Sequence, residues 1–324
     1  MIKESTGIYI PQFNDKVNFL KSDIKNFIKN LKYRKKLFRS LRAKQHDIFF
    51  MVFDPERGHP GLADRLKAVI STYNIAKKNH YRFKLYFETP FRLSDYLAPQ
   101  FNWEAHPADL EFSLLDTKLF NECNWHNRNR LVSHKQYHCY QYSGNVMPRM
   151  FADTGYKWAD LFRELFRPSD MLEAAYRKLW IEPKSYVACH LRFVNALEKF
   201  EDTFFDNHLD TEAAREALIA RCKEGIREVQ KANPGMDVYV FSDSKCFLNC
   251  VDGMDGVKVL EHSHIGHISN QNTEASHLKT FLDIYVMSQG RAVYRFSAPE
   301  LYSISHYALL AATIGDIPFY DVMI

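Results

Sequence analysis

The sequence predicts an α/β protein built from two Rossmann-like domains, and three observations lead there. At 324 residues it is long for a single core and comfortable for two, at roughly 100–200 residues per domain. Its 46% hydrophobic and 25% charged residues are the proportions of a globular chain. A strand, glycine turn, helix and strand near residue 50, and a plainer βα rhythm after residue 185, are the repeating units of doubly wound parallel sheets.

The first element is basic. Residues 16–44 hold eleven Lys/Arg against the single acid Asp23, a local balance of +10 that leaves about −6 for the rest of a chain of net charge +4. Leu20, Ile24, Phe27, Ile28, Leu31, Phe38 and Leu41 recur at helical spacing, so residues 1–45 read as a basic amphipathic helical segment. Two readings fit it: a helix lying on an anionic membrane surface, or a helix docked on its own protein. Nucleic acid is not expected, because the remainder is acidic and no groove-reading motif occurs.

Residues 46–182 form the expected N-terminal domain. The apolar run at 46–54 reads as a buried parallel strand, followed by the turn Glu56 to Gly61. Leu62, Leu66, Val69, Ile70, Tyr73 and Ala76 then give a helix to about His80, and residues 82–88 give the next strand. Residues 90–182 show many aromatics and no clean periodicity. Trp180 to Lys184 marks a junction, since proline biases its predecessor out of helix.

Residues 183–324 form the expected C-terminal domain, with strands at 185–191, 237–242, 257–260 and 291–296 and helices at 211–232, 273–289 and 299–314. Ligands of such sheets bind beyond the carboxyl ends of the strands. His190 and Arg192 project on one face where the first of these strands ends. A guanidinium there can grip a diphosphate through forked hydrogen bonds. Asp243 ends the second strand, Asp283 sits in the helix 273–289, and Ser297 and Ser303 follow at the last strand end and the start of the last helix.

The order and spacing of these residues resemble the fucosyltransferase superfamily that includes α-1,6-fucosyltransferases, the rhizobial nodulation enzyme and protein O-fucosyltransferases. The resemblance rests on His190/Arg192, Asp243, the stretch Thr280 to Gln289 around Asp283, and Phe296-Ser297. In the first half, Gly58 to Leu66 is similar to the family's glycine-rich turn. It covers about half the chain, chiefly 46–88 and 185–315.

The resemblance implies a bacterial GT-B enzyme with two Rossmann-like domains facing a central cleft, which transfers fucose from GDP-fucose to a glycan with inversion and without metal or cofactor. It implies that His190 and Asp283 bond guanine, that Arg192 holds the β-phosphate, that Asp243, Ser297 and Ser303 line the donor pocket, and that Gly61 lets backbone approach it. An arginine and helix N-termini can offset the charge on a departing diphosphate, and the chain has no Asp-x-Asp pair.

Inversion needs a base for the acceptor hydroxyl, and Glu198 and Glu201 in the loop after Arg192 are the candidates. Neither stands at the family's distance from the histidine, where this chain has Phe200, and Asn195 replaces the aspartate of several relatives. Two alternatives therefore stand beside transfer of fucose: a non-catalytic nucleotide- or carbohydrate-binding protein, and a transferase using another nucleotide-deoxyhexose.

Other clusters point elsewhere less well. Cys123, His126, His134, His138 and Cys139 have tolerable zinc spacing but match no established module, and His262, His264 and His267 read as a polar loop. Six scattered cysteines do not form a disulfide framework. Without a long apolar run or the apolar core of a signal peptide, the expected location is the cytoplasm, with peripheral contact at the inner membrane face.

Overall fold

The computed structural model describes residues 2–4, 40–55, 61–120, 135–140, 155–198, 205, 207–261 and 273–324. The chain divides into two compact units, one of residues 7–94 and 98–167, the other of 1–6, 95–97 and 168–324. Strand β1 (Ile2–Glu4) opens the chain and belongs to the second unit. These three residues lie within the segment expected to be helical, and they pair antiparallel with the last strand of the protein instead. At the other end of that segment, residues 40–44 are also not helical. The carbonyls of Ser40 and Leu41 accept from the amides of Leu114 and Leu115, which draws this stretch into an extended path. The body of the expected helix, 16–39, lies outside the described residues.

In the first unit β2 (Ile48–Phe53) leads to α1 (Leu62–Lys78) and β3 (Arg82–Phe87). The short strand β4 (Leu97–Pro99) follows, its first residue assigned to the second unit, then β5 (Thr117–Phe120) and β6 (Gln136–Cys139). The sheet order is β3-β2-β6-β5, all parallel. β2 is central and every one of its residues is buried, which is why it reads as an unbroken apolar run. Within β6, His138 packs edge-on against Phe50 and Phe112 and bonds Gln136 Oε1 at 2.5 Å, while Cys139 is buried. Both belong to the strand core; Cys123, His126 and His134 lie outside the described residues.

Helix α2 (Trp158–Leu165) buries Trp158, Leu161, Phe162 and Leu165 on one face. The chain then runs through β7 (Phe166–Pro168), which pairs with β4, into α3 (Asp170–Arg177), capped by Ser169. α3 precedes the junction read at 180–184, yet it lies in the second unit, where Tyr176 meets Tyr285 edge-on.

The second unit continues with β8 (Tyr186–Leu191), α4 (Glu212–Ala232), β9 (Asp237–Ser242), α5 (Lys245–Val251) and β10 (Val257–Val259). Then come α6 (Glu274–Gln289), β11 (Val293–Ser297), α7 (Tyr307–Gly315) and β12 (Phe319–Met323). The order is β1-β12-β11-β8-β9-β10, parallel except for β1. Alternation along β8 sorts its side chains. Val187, Cys189 and Leu191 join the core made with Leu218, Cys222 and Ile226 of α4 and Phe247 of α5. Tyr186 and His190 face the other way, toward Val286 of α6 and Tyr307 of α7. α6 and α7 approach closely at Gly315, where a Cβ would stand 2.2 Å from the Ser288 carbonyl oxygen.

The last helix begins at Tyr307, eight residues later than the sequence suggests, and Ser303 sits in the turn before it. Residues 299–306 cannot wind into helix because their backbone is bonded elsewhere. Asn207 Nδ2 donates to the Glu300 carbonyl, the Tyr302 amide to the Arg192 carbonyl, and Arg295 to the Ser305 carbonyl.

Candidate functional site

In the second unit the chain passes from β8 outward through β9 and β10, then returns to the opposite side of β8 through β11 and β12. The strand order therefore reverses between β8 and β11, and a crevice beyond the carboxyl ends at such a reversal is where open α/β sheets bind ligands. His190 and Arg192 stand at the end of β8, and Ser297 at the end of β11.

His190 is 5% exposed, and its Nδ1 has no hydrogen-bond partner among the described residues. An unsatisfied buried nitrogen costs on the order of 1–3 kcal/mol unless water or a ligand supplies the bond. Burial, with Arg192 and Arg295 adding repulsion, pushes its pKa down to about 3, so the ring is neutral at physiological pH. Tyr307 packs on the imidazole with ring centroids 5.5 Å apart, and its hydroxyl donates to the Thr280 carbonyl of α6 at 2.6 Å. Burial raises the pKa of that phenol, Asp283 raises it further and Arg192 opposes, so one tyrosine feels His190, Arg192 and Asp283 together.

Arg192 is held from behind. Its carbonyl accepts from the Tyr302 amide, and its guanidinium lies 3.8 Å from Asp243. Asp243 spends its oxygens on the loop that follows, accepting from the Phe193 amide at 2.7 Å and the Val194 amide at 2.9 Å. The carboxylate thus fixes the turn in which Val194 has φ +54° and holds Arg192 at the strand end. Asn195 continues this scaffold: its amide donates to Asn207 Oδ1 and its side chain to the Phe205 carbonyl.

Glu198 also has partners. Its Oε1 accepts from Ser244 Oγ at 2.8 Å and from the Cys246 amide at 3.2 Å, which ties the loop to the first turn of α5. Glu201 lies outside the described residues, as do His262, His264 and His267. On α6, Asp283 accepts from Lys279 Nζ at 2.5 and 2.6 Å, a chelated pair with side chains 16% and 13% exposed. Burial raises the Asp283 pKa and Lys279 opposes that rise. Ser297 is buried, and Ser303 Oγ donates to the Ala298 carbonyl at 3.1 Å.

The second unit therefore gathers His190, Arg192, Asp243 and Asp283, and Tyr307 and Lys279 join them without having been singled out from sequence. Gly61 lies in the other unit as the residue before α1, where a Cβ would meet nothing within 4 Å. The two following turns of α1 bury charge: Arg65 is 3% exposed, lies over the rings of Phe53 and Phe87 and donates to the Thr89 carbonyl, while Lys67 is 2% exposed and pairs with Asp64 at 2.6 Å.

A parallel sheet whose strand order reverses at β8 places this unit in the class of doubly wound α/β folds. The particular version is shared with solved fucosyltransferases. NodZ α-1,6-fucosyltransferase soaked with GDP-fucose superposes with a TM-score of 0.52 at 14% identity, over 82% of this chain and 92% of that one. Fucosyltransferase NodZ from Bradyrhizobium gives 0.53 at 15% identity over 83% and 92%. An Arabidopsis thaliana FUT1 mutant in complex with GDP gives 0.52 at 11% identity over 98% and 80%. The chain thus has the GT-B-like α/β fold that the resemblance implies. No family model matches the sequence, nor does any curated protein.

Proposed function

We propose that this protein is a glycosyltransferase that moves fucose from GDP-fucose to a glycan acceptor, inverting the anomeric centre and using no metal or cofactor. The observation that carries the reading is the set of His190, Arg192 and Asp243 at strand ends, with Asp283 on α6, beside the reversal point of a fold shared with GDP-bound fucosyltransferases. His190, neutral and one hydrogen bond short, takes a polar atom of the nucleoside. Arg192 offsets the charge that builds on the departing diphosphate, which a metal does in other transferases. Asp243 positions Arg192 through the loop, and Ser297 and Ser303 lie beside the diphosphate path. The base for the acceptor hydroxyl comes from the loop of Glu198 and Glu201, and the helix-capping bonds of Glu198 favour Glu201.

The test is a transfer assay with GDP-fucose and EDTA, alongside calorimetry with GDP, UDP, dTDP and ADP. Metal-independent transfer, or at least donor hydrolysis, with selective GDP binding is expected. Activity that vanishes with EDTA and returns with Mn²⁺ or Mg²⁺ would refute the metal-free step. In the same assay Glu201→Gln should lose about 10²–10⁴-fold in rate, since an amide cannot take the proton. One observation favours a second reading, a nucleotide-binding protein without transferase chemistry: Glu198 and Asn195 both serve the loop scaffold. GDP binding with no turnover of GDP-fucose selects it.

No helix among the described residues is long and apolar enough to cross a membrane. The +10 segment supports peripheral contact with anionic lipid, worth roughly 1 kcal/mol per nearby Lys or Arg. Because β1 belongs to the second sheet, the deletion that tests this should spare it and remove residues 7–39. Salt-sensitive co-sedimentation with phosphatidylserine vesicles by the full chain and not by the deletion is expected; equal sedimentation of both would dismiss the contact.

A further inference from the structure

We infer that the turn at residues 113–117, with the stretch 40–44 beside it, is a lipid-docking surface of the first unit that sets leucines into the interface of an anionic bilayer. The inference rests on the peripheral contact proposed above and adds to it the structured residues that meet the lipid. Leu41 is 64% exposed, Leu114 53% and Leu115 50%. The amides of Leu114 and Leu115 donate to the carbonyls of Ser40 and Leu41, so the three leucines sit on adjoining backbone. Exposed leucines scattered singly are ordinary, but three together form a patch.

The turn that presents them is closed by the polar residues at its ends. Ser113 Oγ accepts from the amides of Asp116 and Thr117 at 3.1 and 3.0 Å, while Thr117 Oγ1 accepts from the Ser113 amide and donates to the Glu111 carbonyl. Asp116 Oδ2 accepts from the Ala43 amide at 3.0 Å, which stitches the turn to the neighbouring stretch. Surface turns favour Gly, Asn, Asp and Ser, whose side chains or backbone freedom shape the bend. Here the flanking Ser, Asp and Thr shape it, and the two central positions are both leucine. The fold therefore gives these side chains no task inside the unit.

The charge around them has one sign. Arg42, Lys44 and Lys118 are exposed, and Lys135 Nζ donates to the Leu115 carbonyl at 2.8 Å. The only acid in 40–46 and 113–118 is Asp116, which is 5% exposed, holds the Ala43 amide and lies 3.7 Å from Lys135. The same stretch ends the segment 16–44, whose balance is +10 in a chain whose remainder is about −6. A second copy seated on this patch by two-fold symmetry sets cation against cation. An anionic bilayer answers both features at once, with headgroups for the cations and the acyl boundary for the leucines. β2 and β5 enter their parallel sheet from this side, so the patch lies at the amino ends of the strands, opposite Gly61 and Arg65. Docking through it turns that other end of the unit away from the lipid.

Co-sedimentation of the full chain with phosphatidylserine/phosphatidylcholine vesicles tests this. The double variant Leu114→Ser, Leu115→Ser should partition about tenfold more weakly than the parent, the scale of withdrawing two half-exposed leucines from an apolar phase, and should melt with the parent because both side chains are on the surface. In a second variant, Leu115→Trp, lipids brominated along the acyl chain should quench fluorescence beyond the quenching seen in the parent. Partitioning unchanged by the serines overturns the inference, and so does a tryptophan at position 115 that brominated lipid leaves bright; the second readout stands even if the double variant folds poorly. Loss of binding on deleting residues 7–39 with no effect of the leucine changes leaves the basic segment as the membrane contact and removes this surface alone. A parent that ignores the vesicles dismisses both. Self-association in sedimentation velocity that the serines abolish, without vesicle binding, makes a second copy the occupant and also overturns the inference.

Discussion

Both units place cations toward the carboxyl ends of their strands and answer them from within the protein, but in the second they stand beside a histidine with an open nitrogen. In the first, Arg65 lies over Phe53 and Phe87 at the carboxyl ends of β2 and β3, and both it and Lys67 are answered from within, by the Thr89 carbonyl and by Asp64. In the second, the reversal point brings Arg192 and Arg295 near a histidine whose Nδ1 has no partner among the described residues. A closed set of bonds at a strand end stabilises the fold. The set at the end of β8 is left one bond short, at His190 Nδ1, among the described residues. The difference teaches that burial of charge does not by itself mark a site, and neither does an unanswered buried atom, since Ser71 Oγ and Trp158 Nε1 of the first unit also lack a partner among the described residues; His190 stands out because its open nitrogen lies where the strand order reverses.

If this contrast is right, the largest effect on stability comes from the first unit. Arg65→Ala removes a side chain packed on two rings and orphans a partly buried carbonyl, so it should lower stability by about 3 kcal/mol, in the range of large-to-small core changes. Burial lowers the Arg65 pKa to about 10, so the group stays charged at neutral pH and the loss should not depend on pH between 5 and 8. Urea denaturation followed by tryptophan fluorescence measures it. A melting curve that matches the parent would mean that Arg65 is not structural, and the contrast between the units would collapse.

The next effect belongs to the second unit and should be seen in binding more than in folding. Arg192→Ala should weaken GDP by about 1.5–3 kcal/mol, the worth of hydrogen bonds to a charged group. Arg192→Lys should recover only part, because a point charge cannot reproduce the fork. The main-chain bond from Tyr302 to the Arg192 carbonyl survives either change, so the loop keeps its shape. Unchanged affinity in Arg192→Ala would remove the diphosphate from this strand end.

His190 sharpens the comparison through pH. Its pKa falls from the ordinary 6.5 to about 3 in the folded protein, so between those values the unfolded chain binds a proton that the native one refuses. The sign follows: stability from the neutral ring is complete above pH 6.5 and is lost as pH falls toward 3, at a slope of up to about 1.4 kcal/mol per pH unit from this group. His190→Asn, which cannot titrate, should flatten the acid limb of the stability curve. If the slope is the same in both proteins, His190 takes up its proton without unfolding and is not held neutral.

These outcomes bear on what the sequence could reveal. β2 and β8 were legible because a strand buried on both faces is a continuous apolar run, and α1, α4 and α6 because their length and spacing exceed what a strand uses. The start of α7 was not, since the carbonyls of Glu300 and Ser305 are taken by Asn207 and Arg295, partners distant in sequence. β12 was missed because Phe319 to Met323 is short and carries Asp321, which is there to meet Arg295. His190 and Arg192 could be located by strand alternation, whereas Tyr307 looks like any aromatic at a helix start. Lys279 stands four residues before Asp283 on α6, the spacing of a helical ion pair, which was legible but not used.

The smallest effect concerns Glu198, and it decides whether the loop after Arg192 is scaffold or chemistry at that position. Its Oε1 accepts from Ser244 Oγ and the Cys246 amide at the first turn of α5. A glutamine keeps that acceptor, so Glu198→Gln should change stability by no more than a few tenths of a kcal/mol and the transfer rate by no more than a few-fold. Alanine removes the cap and should cost about 1 kcal/mol, the usual worth of a side chain that satisfies an open helix amide. A general base behaves in the opposite way. Its amide variant folds as well as the parent and loses two or more orders of magnitude in rate, because geometry survives and proton transfer does not. Thermal melts and steady-state rates of the two variants therefore separate the roles. A stable, slow Glu198→Gln would make Glu198 the base and would mean that its bonds to α5 aim the carboxylate, whereas a fast Glu198→Gln beside a less stable Glu198→Ala confines it to the scaffold that carries Arg192.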